Sequence, residues 1–249
     1  MTTNNVVIKE ISRNLYILRT EDYETRFFEA LWEIPEGITY NAYLLLTEEG
    51  AVLLDLWKKS FSKKLIETLK CIIDLKDIKY VIIHHAEPDH TGSLPELLKH
   101  NDKVTVIGQP LAKSILENFY RINLRFKPVK DREELRIREK TLKIIHTPWL
   151  HWPETIMTFL EEENILFSCD AFGGYSVPSS VFDENDEVIA KYIPYVRKYF
   201  ATVIGHYRNF VIKNVEKISN LNIRIIAPAH GLVWVKKTTR HHKLLCKIS

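Results

Sequence analysis

An α/β domain built on more than one sheet is the fold class this sequence predicts. Three observations predict it: short β-branched apolar runs recur along the chain, amphipathic stretches separate the later ones, and glycine and proline are sparse. The runs that read as strands are Val6 to Leu18, Tyr43 to Leu46, Val52 to Leu56, Tyr80 to Ile83, Lys103 to Ile107, Leu142 to Ile145, Ile165 to Ser168 and Ile223 to Ala227. Between them Ser62 to Ile73 places Leu65, Leu69 and Ile72 on one helical face, and Leu111 to Asn123, Val188 to His206 and Val211 to Leu221 repeat that spacing. Short turns such as Glu48-Glu49-Gly50 make the early strands antiparallel neighbours, whereas the later ones alternate with helices. Ala171 to Asp186, with Gly173, Gly174, Pro178 and Ser179, reads as a long loop of the kind that borders a functional site.

With 249 residues, 45% of them hydrophobic, and no Gly/Ser/Pro-rich linker, the expectation is one domain over residues 1–249. A net charge of +3 from nearly balanced acids and bases gives no field strong enough to make nucleic acid the main partner. The basic run over 236–249, with Lys236, Lys237, Arg240, His241, His242, Lys243 and Lys247, reads as a solvated tail. No apolar run is long enough to cross a bilayer and Met1 to Asn5 lacks a signal pattern, so a cytoplasmic, membrane-free location is expected. Cys71, Cys169 and Cys246 are odd in number and without CxxC spacing, which excludes a disulfide framework and a zinc ribbon.

The chemistry begins directly after Tyr80-Val81-Ile82-Ile83. His85, Glu87, Asp89 and His90 form the spacing HxExDH, four metal-ligand side chains within six residues. An extended segment projects His85, Glu87 and Asp89 to one side at period two, and His90, at the start of a following helix, turns back toward them. That arrangement serves two cations side by side. His151, Asp170 and His230 each follow an apolar strand or turn, where loops from several strand ends converge on one cavity. Singly, His151 and His230 read as hydrogen-bonded structural histidines and Asp170 as a helix cap. Together they complete a set of four histidines and three carboxylates.

HxExDH, Leu150-His151-Trp152-Pro153, Leu166-Phe167-Ser168-Cys169-Asp170-Ala171-Phe172-Gly173 and a late His230-Gly231, in this order, resemble the metallo-β-lactamase-type diiron core of flavodiiron proteins. Tyr40 to Leu44, Leu53-Leu54-Asp55 and Tyr199-Phe200-Ala201 extend the resemblance over nearly the whole chain. It implies a four-layer αβ/βα sandwich with the metals at the edge between two sheets. One metal would be held by His85, Glu87 and His151, the other by Asp89, His90 and His230, with Asp170 bridging. It also implies two iron ions, with zinc as a substitute in recombinant material, and dioxygen or peroxide as the small-molecule partner. Zinc hydrolases of this fold carry HxHxDH, with an imidazole where this chain has Glu87. An anionic oxygen ligand is harder than imidazole and favours the ferric charge. Three carboxylates leave two ferrous ions at a formal charge of about +1, which a diferric pair with peroxide preserves.

Tyr199 matches a family tyrosine near the bound substrate, with an ordinary core tyrosine as the alternative. His84 should point away from the metals, Asp55 should support a ligating histidine, and Trp149 and Trp152 should wall the pocket. Cys169, Tyr175 and Val235 stand where the family often has Asn, His and Arg. A phenol at Tyr175 removes an ionisable imidazole and with it a route for protons, which reduction needs and reversible binding does not. The short stretch after His230 holds no glycine-rich phosphate loop, so no FMN site is expected in this chain. The resulting expectation is a homodimeric or larger oxygen or iron sensor that signals through a partner such as a cytoplasmic chemoreceptor complex. Reduction of oxygen or nitric oxide with electrons from a separate flavoprotein or rubredoxin is the alternative, and zinc-dependent hydrolysis a third.

Overall fold

The first apolar run, Val6 to Leu18, turns back on itself. Instead of one strand it forms β1 (Val6–Ser12) and β2 (Leu15–Asp22), paired antiparallel from Val6 opposite Thr20. The turn falls at Arg13-Asn14, and Asn14 takes a φ of 63°, a left-handed conformation that asparagine tolerates well. The computed structural model describes residues 5–236, so the basic run beyond Lys236 and the first four residues lie outside the described residues.

After β2 a small hairpin, β3 (Phe27–Phe28) and β4 (Trp32–Glu33), pairs only with itself. β5 (Ile38–Thr47) and β6 (Gly50–Leu54) then extend the antiparallel sheet. From β6 the chain crosses over through α1 (Ser62–Lys70) to β7 (Ile78–Ile82), through α2 (Pro88–Thr91) and α3 (Leu94–His100) to β8 (Thr105–Gly108), and through α4 (Pro110–Tyr120) to β9 (Phe126–Pro128). These later strands pair in parallel, as helical crossovers require. The seven-stranded sheet therefore runs β1-β2-β5-β6-β7-β8-β9. A second sheet follows, with β10 (Glu134–Ile137), β11 (Lys140–His146), β12 (Ile156–Leu160) and β13 (Ile165–Cys169) antiparallel in sequence order. α5 (Asp186–Tyr199) and α6 (Arg208–Ile218) then lead to β14 (Ile225–Pro228), which lies parallel to β13 at the edge.

Alternation along the strands sets the layers. Leu15, Ile17, Tyr43, Leu45, Val52, Leu54 and Ile82 of the first sheet meet Leu142, Ile144, Ile165, Phe167 and Ile225 of the second in one apolar cluster. The intervening Leu18, Leu44, Leu53, Val81 and Leu166 point the other way, into a second cluster with Leu65 of α1, Leu97 of α3, Leu116 of α4 and Val215 of α6. Strands buried on both faces read as continuous apolar runs, which is why the sequence reveals them. Helices cover the outer face of each sheet, and the four-layer α/β sandwich expected from the sequence is what the chain forms.

The predicted helix Val188 to His206 ends early. α5 starts where Asn185 caps it, its side chain accepting from the Val188 amide at 2.9 Å. After Tyr199 the backbone widens into a π-helical turn over Phe200–Ile204, a distortion common beside functional sites. β9, β10 and β12 escaped the sequence reading, because the first two are three and four residues with charged neighbours and the third follows a proline-containing turn. Residues 171–185 form the expected loop, held by a bridge from Phe182 to Val233 and by Arg19, whose guanidinium donates to the Ser180 and Pro178 carbonyls at 2.9 and 3.0 Å.

Candidate metal centre

The site lies where the carboxyl ends of β7, β13 and β14 meet the turn between β11 and β12. β7 delivers His84 and His85 just past its last ladder residue, and Pro88 starts α2 with Glu87 in the extended conformation before it. Asp89 and His90 occupy that first turn, where the Leu56 amide donates to the His90 carbonyl at 2.8 Å and fixes its height. Asp170 follows Cys169, whose φ of 53° and slipped pairing with Pro228 turn the chain out of the sheet. His230 sits past β14, anchored from the other sheet. Its Nδ1–H donates to the Thr39 carbonyl at 2.7 Å, the Gly231 amide donates to Thr39 Oγ1 at 2.7 Å, and Tyr43 donates to the Pro228 carbonyl at 2.6 Å. Gly231 takes a φ of +74°, and a Cβ there would stand 1.5 Å from Tyr192 Oη, so only glycine fits after His230.

All seven candidate side chains converge, and Asp170 divides them. Its Oδ2 faces His85 Nε2 at 3.8 Å and His151 Nε2 at 3.7 Å; both of these also face Glu87 Oε2, at 3.1 and 3.2 Å. Its Oδ1 faces His90 Nε2 and His230 Nε2, each at 3.2 Å, and these in turn face the Asp89 oxygens at 3.4 Å. Ligand bonds of about 2.1 Å set neighbouring donor atoms roughly 3.0 Å apart in an octahedron and about 3.4 Å apart in a tetrahedron. The four separations on the Oδ1 side match that spacing, as do those from Glu87 to His85 and His151, while Asp170 Oδ2 stands somewhat farther from those two rings, at 3.8 and 3.7 Å.

Several of the polar atoms aimed into the cavity have no hydrogen-bond partner. Both oxygens of Asp89 and Nε2 of His151 and His230 are buried without a hydrogen bond. A fold that satisfies nearly every buried polar group leaves such atoms where something else binds. His85, His151 and Asp170 form one cluster that can hold a cation, and Asp89, His90 and His230 another.

Electrostatics point the same way. Burial works against charge on Asp170, yet the facing imidazoles of His90, His230 and His85 hold its carboxyl well below the usual range. Burial likewise opposes the Glu87 carboxylate, and His151 and His85 bring it down regardless. Burial disfavours a charged His85, but Glu154, Glu87 and Asp170 raise it well above the ordinary imidazole value. His90 is raised by Asp89 and Asp170 against the same penalty, and His230 reaches about 10. The cavity favours positive charge at several points at once, in the form of protons or of metal ions.

The surroundings refine the expectations. His84 points away as expected, its Nδ1–H donating to Asp55 Oδ2 at 2.7 Å and its Nε2 lying 2.9 Å from Thr158 Oγ1. Asp55, whose left-handed φ of 53° turns its carboxylate toward β7, hydrogen-bonds His84, and it also clusters with His90 and Cys169. Trp152 walls the pocket, its ring edge-on to His85 at 4.8 Å, whereas Trp149 is exposed and stacks on Tyr207. Tyr199 is buried and donates to Asp170 Oδ1 at 2.7 Å, with Tyr175 packed on it at 4.9 Å and bonded to Thr202 at 3.0 Å. Cys169 is buried 3.7 Å from Asp170 Oδ2, and burial pushes its thiol up. Val235 contributes its amide to Asp183 at 2.7 Å.

Three groups went unread in the sequence. Glu154, wholly buried in the turn after His151, accepts from His85 Nδ1–H at 2.9 Å and from the Ala86 amide at 3.0 Å. An acidic residue inside a ligand motif was the available signal for it. The Thr39 carbonyl has no side-chain signature. Glu29, at the tip of the β3–β4 hairpin, lies 3.7 Å from His151 Nδ1 and clusters with His151 and Glu87.

Two stacked mixed sheets with a histidine–carboxylate cavity at their edge define a metallo-β-lactamase-like protein with clusters that can hold two metal ions. The chain matches the ODP family beta lactamase over residues 38–231, and it belongs to that family. Its relatives are flavodiiron proteins. The solved flavo di-iron protein of Thermotoga maritima, an engineered mutant, superposes with a TM-score of 0.94 at 43% identity, covering 98% of this chain and 62% of that one. The rubredoxin oxygen:oxidoreductase of Desulfovibrio gigas gives a TM-score of 0.91 at 26% identity, over 97% of this chain and 61% of the other. The anaerobic nitric oxide reductase flavorubredoxin of Salmonella typhi is 33% identical over 95% of this chain and 50% of its own length. The chain thus spans about half to three fifths of these three proteins. Among the described residues no helix is long and apolar enough to cross a membrane.

Proposed function

We propose that this chain holds a non-haem diiron centre that binds and reduces dioxygen or nitric oxide, with electrons supplied by a separate flavoprotein or rubredoxin. The observation that carries the proposal is the division of six side chains about the two oxygens of Asp170, with Glu87 in place of a third imidazole beside His85 and His151. In this reading His85, Glu87 and His151 hold one iron, Asp89, His90 and His230 the other, and Asp170 both. Two irons held there would supply the redox chemistry for a small oxidant.

The protein's own contribution is orientation and shelter. Glu154 and the Thr39 carbonyl fix the His85 and His230 rings through their outer nitrogens, which selects the tautomer that presents Nε2 to the cavity. Phe28, Tyr175 and Tyr199 wall one side with apolar rings and Trp152 the other. The Tyr199 hydroxyl, well above its usual pKa through burial and then the charge of Asp170, stays protonated as a donor inside the cavity. Relatives named for reactions with oxygen and with nitric oxide support reduction.

A second reading, an oxygen sensor acting on a signalling partner such as a chemoreceptor complex, is favoured by Tyr175. A phenol bonded to Thr202 offers no proton that titrates near neutrality, and burial lifts it further. One experiment separates the two. The protein is loaded anaerobically with ferrous iron and given oxygen without a donor while its visible spectrum is followed. Rapid passage to an oxidised state that only an added reductase resets supports reduction. A persistent band that vanishes when oxygen is removed supports sensing. Failure to take up two irons per chain would overturn both.

A further inference from the structure

We propose that Glu29 is a positioning residue for His151, carried on the β3–β4 hairpin so that one small element both covers the metal cavity and orients a ligand. The inference rests on the reading of the cavity as a metal centre. The hairpin is attached to neither main sheet, and its strands are two residues each. Its central residues Glu29 and Ala30 have φ of 49° and 59°, the paired left-handed conformation of a tight hairpin turn. What seats it is Phe28, 5% exposed, whose ring packs against Tyr175, Tyr199 and His230 at centroid distances of 5.5, 5.8 and 5.9 Å. Leu31 in the same turn is 73% exposed and anchors nothing.

That seating brings Glu29 over the rim. Metal-ligating histidines hold their rings by donating the outer nitrogen to a carboxylate or carbonyl. His85 does so to Glu154 at 2.9 Å and His230 to Thr39 at 2.7 Å. The group facing the outer nitrogen of His151 is Glu29, with Oε1 at 3.7 Å. A shift of about 0.8 Å at the turn tip closes that gap to a hydrogen bond. Charge supplies a reason for the shift: Glu87, Asp170 and Asp89 repel the Glu29 carboxylate, and cations placed among them attract it. Loading the cavity therefore draws the hairpin onto His151.

The test uses Co²⁺ as the probe, titrated into metal-stripped wild-type, Glu29→Leu, Glu29→Gln and Leu31→Ser proteins and read by visible absorption. The hyperfine-shifted exchangeable imidazole N–H resonances are recorded alongside. Glu29→Leu is expected to bind one of its two ions about 10–100-fold more weakly and to expose one N–H to fast exchange with water. Glu29→Gln, which keeps an accepting oxygen, restores most of both, and Leu31→Ser changes neither. Wild-type affinities and undisturbed resonances in Glu29→Leu would overturn the proposal while leaving the metal centre intact. A wild-type chain that fails to bind two ions would instead overturn the centre, and this role with it.

Discussion

His84 and His85 are adjacent and equally buried, yet they stand in opposite kinds of polar surroundings. Around His84 every partner is supplied: Asp55 takes one ring nitrogen, Thr158 meets the other, and Asp55 Oδ1 also accepts the His84 amide at 2.9 Å. Around His85 the outer nitrogen is settled by Glu154, while the inner one, 3.1 Å from Glu87, joins a ring of imidazoles and carboxylates in which both Asp89 oxygens and the inner nitrogens of His151 and His230 lack hydrogen bonds. A closed polar cluster holds a structure together, whereas an open one of alternating charge is built to be completed by a ligand. Period two along one extended segment separates the two clusters.

The largest test of that contrast is Asp170→Ala, which removes the group facing both halves of the open cluster. It is expected to weaken both metals together by roughly 100-fold or more, measured as metal per chain after dialysis. Two metals per chain retained would sink the bridging assignment. Asp55→Ala strikes the closed cluster and is expected to cost about 3–5 kcal/mol in denaturant unfolding, because His84 is left buried without its carboxylate. Metal stoichiometry in the folded fraction should stay at two, and a loss of metal without loss of stability would reverse the roles assigned to the clusters.

Acidity separates the clusters again. His85, His90 and His230 have raised folded values, His230 about 10, so the stability they contribute is full below the unfolded imidazole value and fades as pH climbs through the folded ones. Asp170 and Glu87 are depressed, so theirs is full above the unfolded carboxyl value and fades as pH falls below it. Metal-stripped protein should melt highest between about pH 4 and 6.5 and lose stability steadily toward pH 10. Metal-loaded protein should hold its melting temperature over that alkaline range, since binding needs the deprotonated ligands. A flat alkaline profile for the stripped protein would contradict the open-cluster description. The smallest effect is expected of Glu154→Gln, about 10-fold in affinity for the metal on the His85 side, with the other metal unaffected.

The fold was legible where burial is two-sided, as in Tyr80 to Ile83 and Ile165 to Ser168, because apolar runs of that length have few other uses. The convergence of the candidate side chains on one cavity was legible because strand ends announce it and because their spacing resembles a known pattern. What stayed hidden depends on contacts between segments far apart. Glu154 is an ordinary acid until the turn after His151 folds it under His85. The stretch around Glu29 has no apolar period, so neither its hairpin nor its approach to His151 could be read. The split of Val6 to Leu18 turned on Arg13-Asn14, two polar residues too few to register against the run around them.

The anchoring of His230 to Thr39 joins residues 191 positions apart, and this has a consequence in time. At about 5–20 residues per second, synthesis separates the two by roughly 10–40 s. His85, Glu87, His151 and Asp170 have all been made well before His230 exists. In the proposed centre one metal position is thus complete on a nascent chain while its neighbour still lacks a ligand, so the two halves differ in birth order.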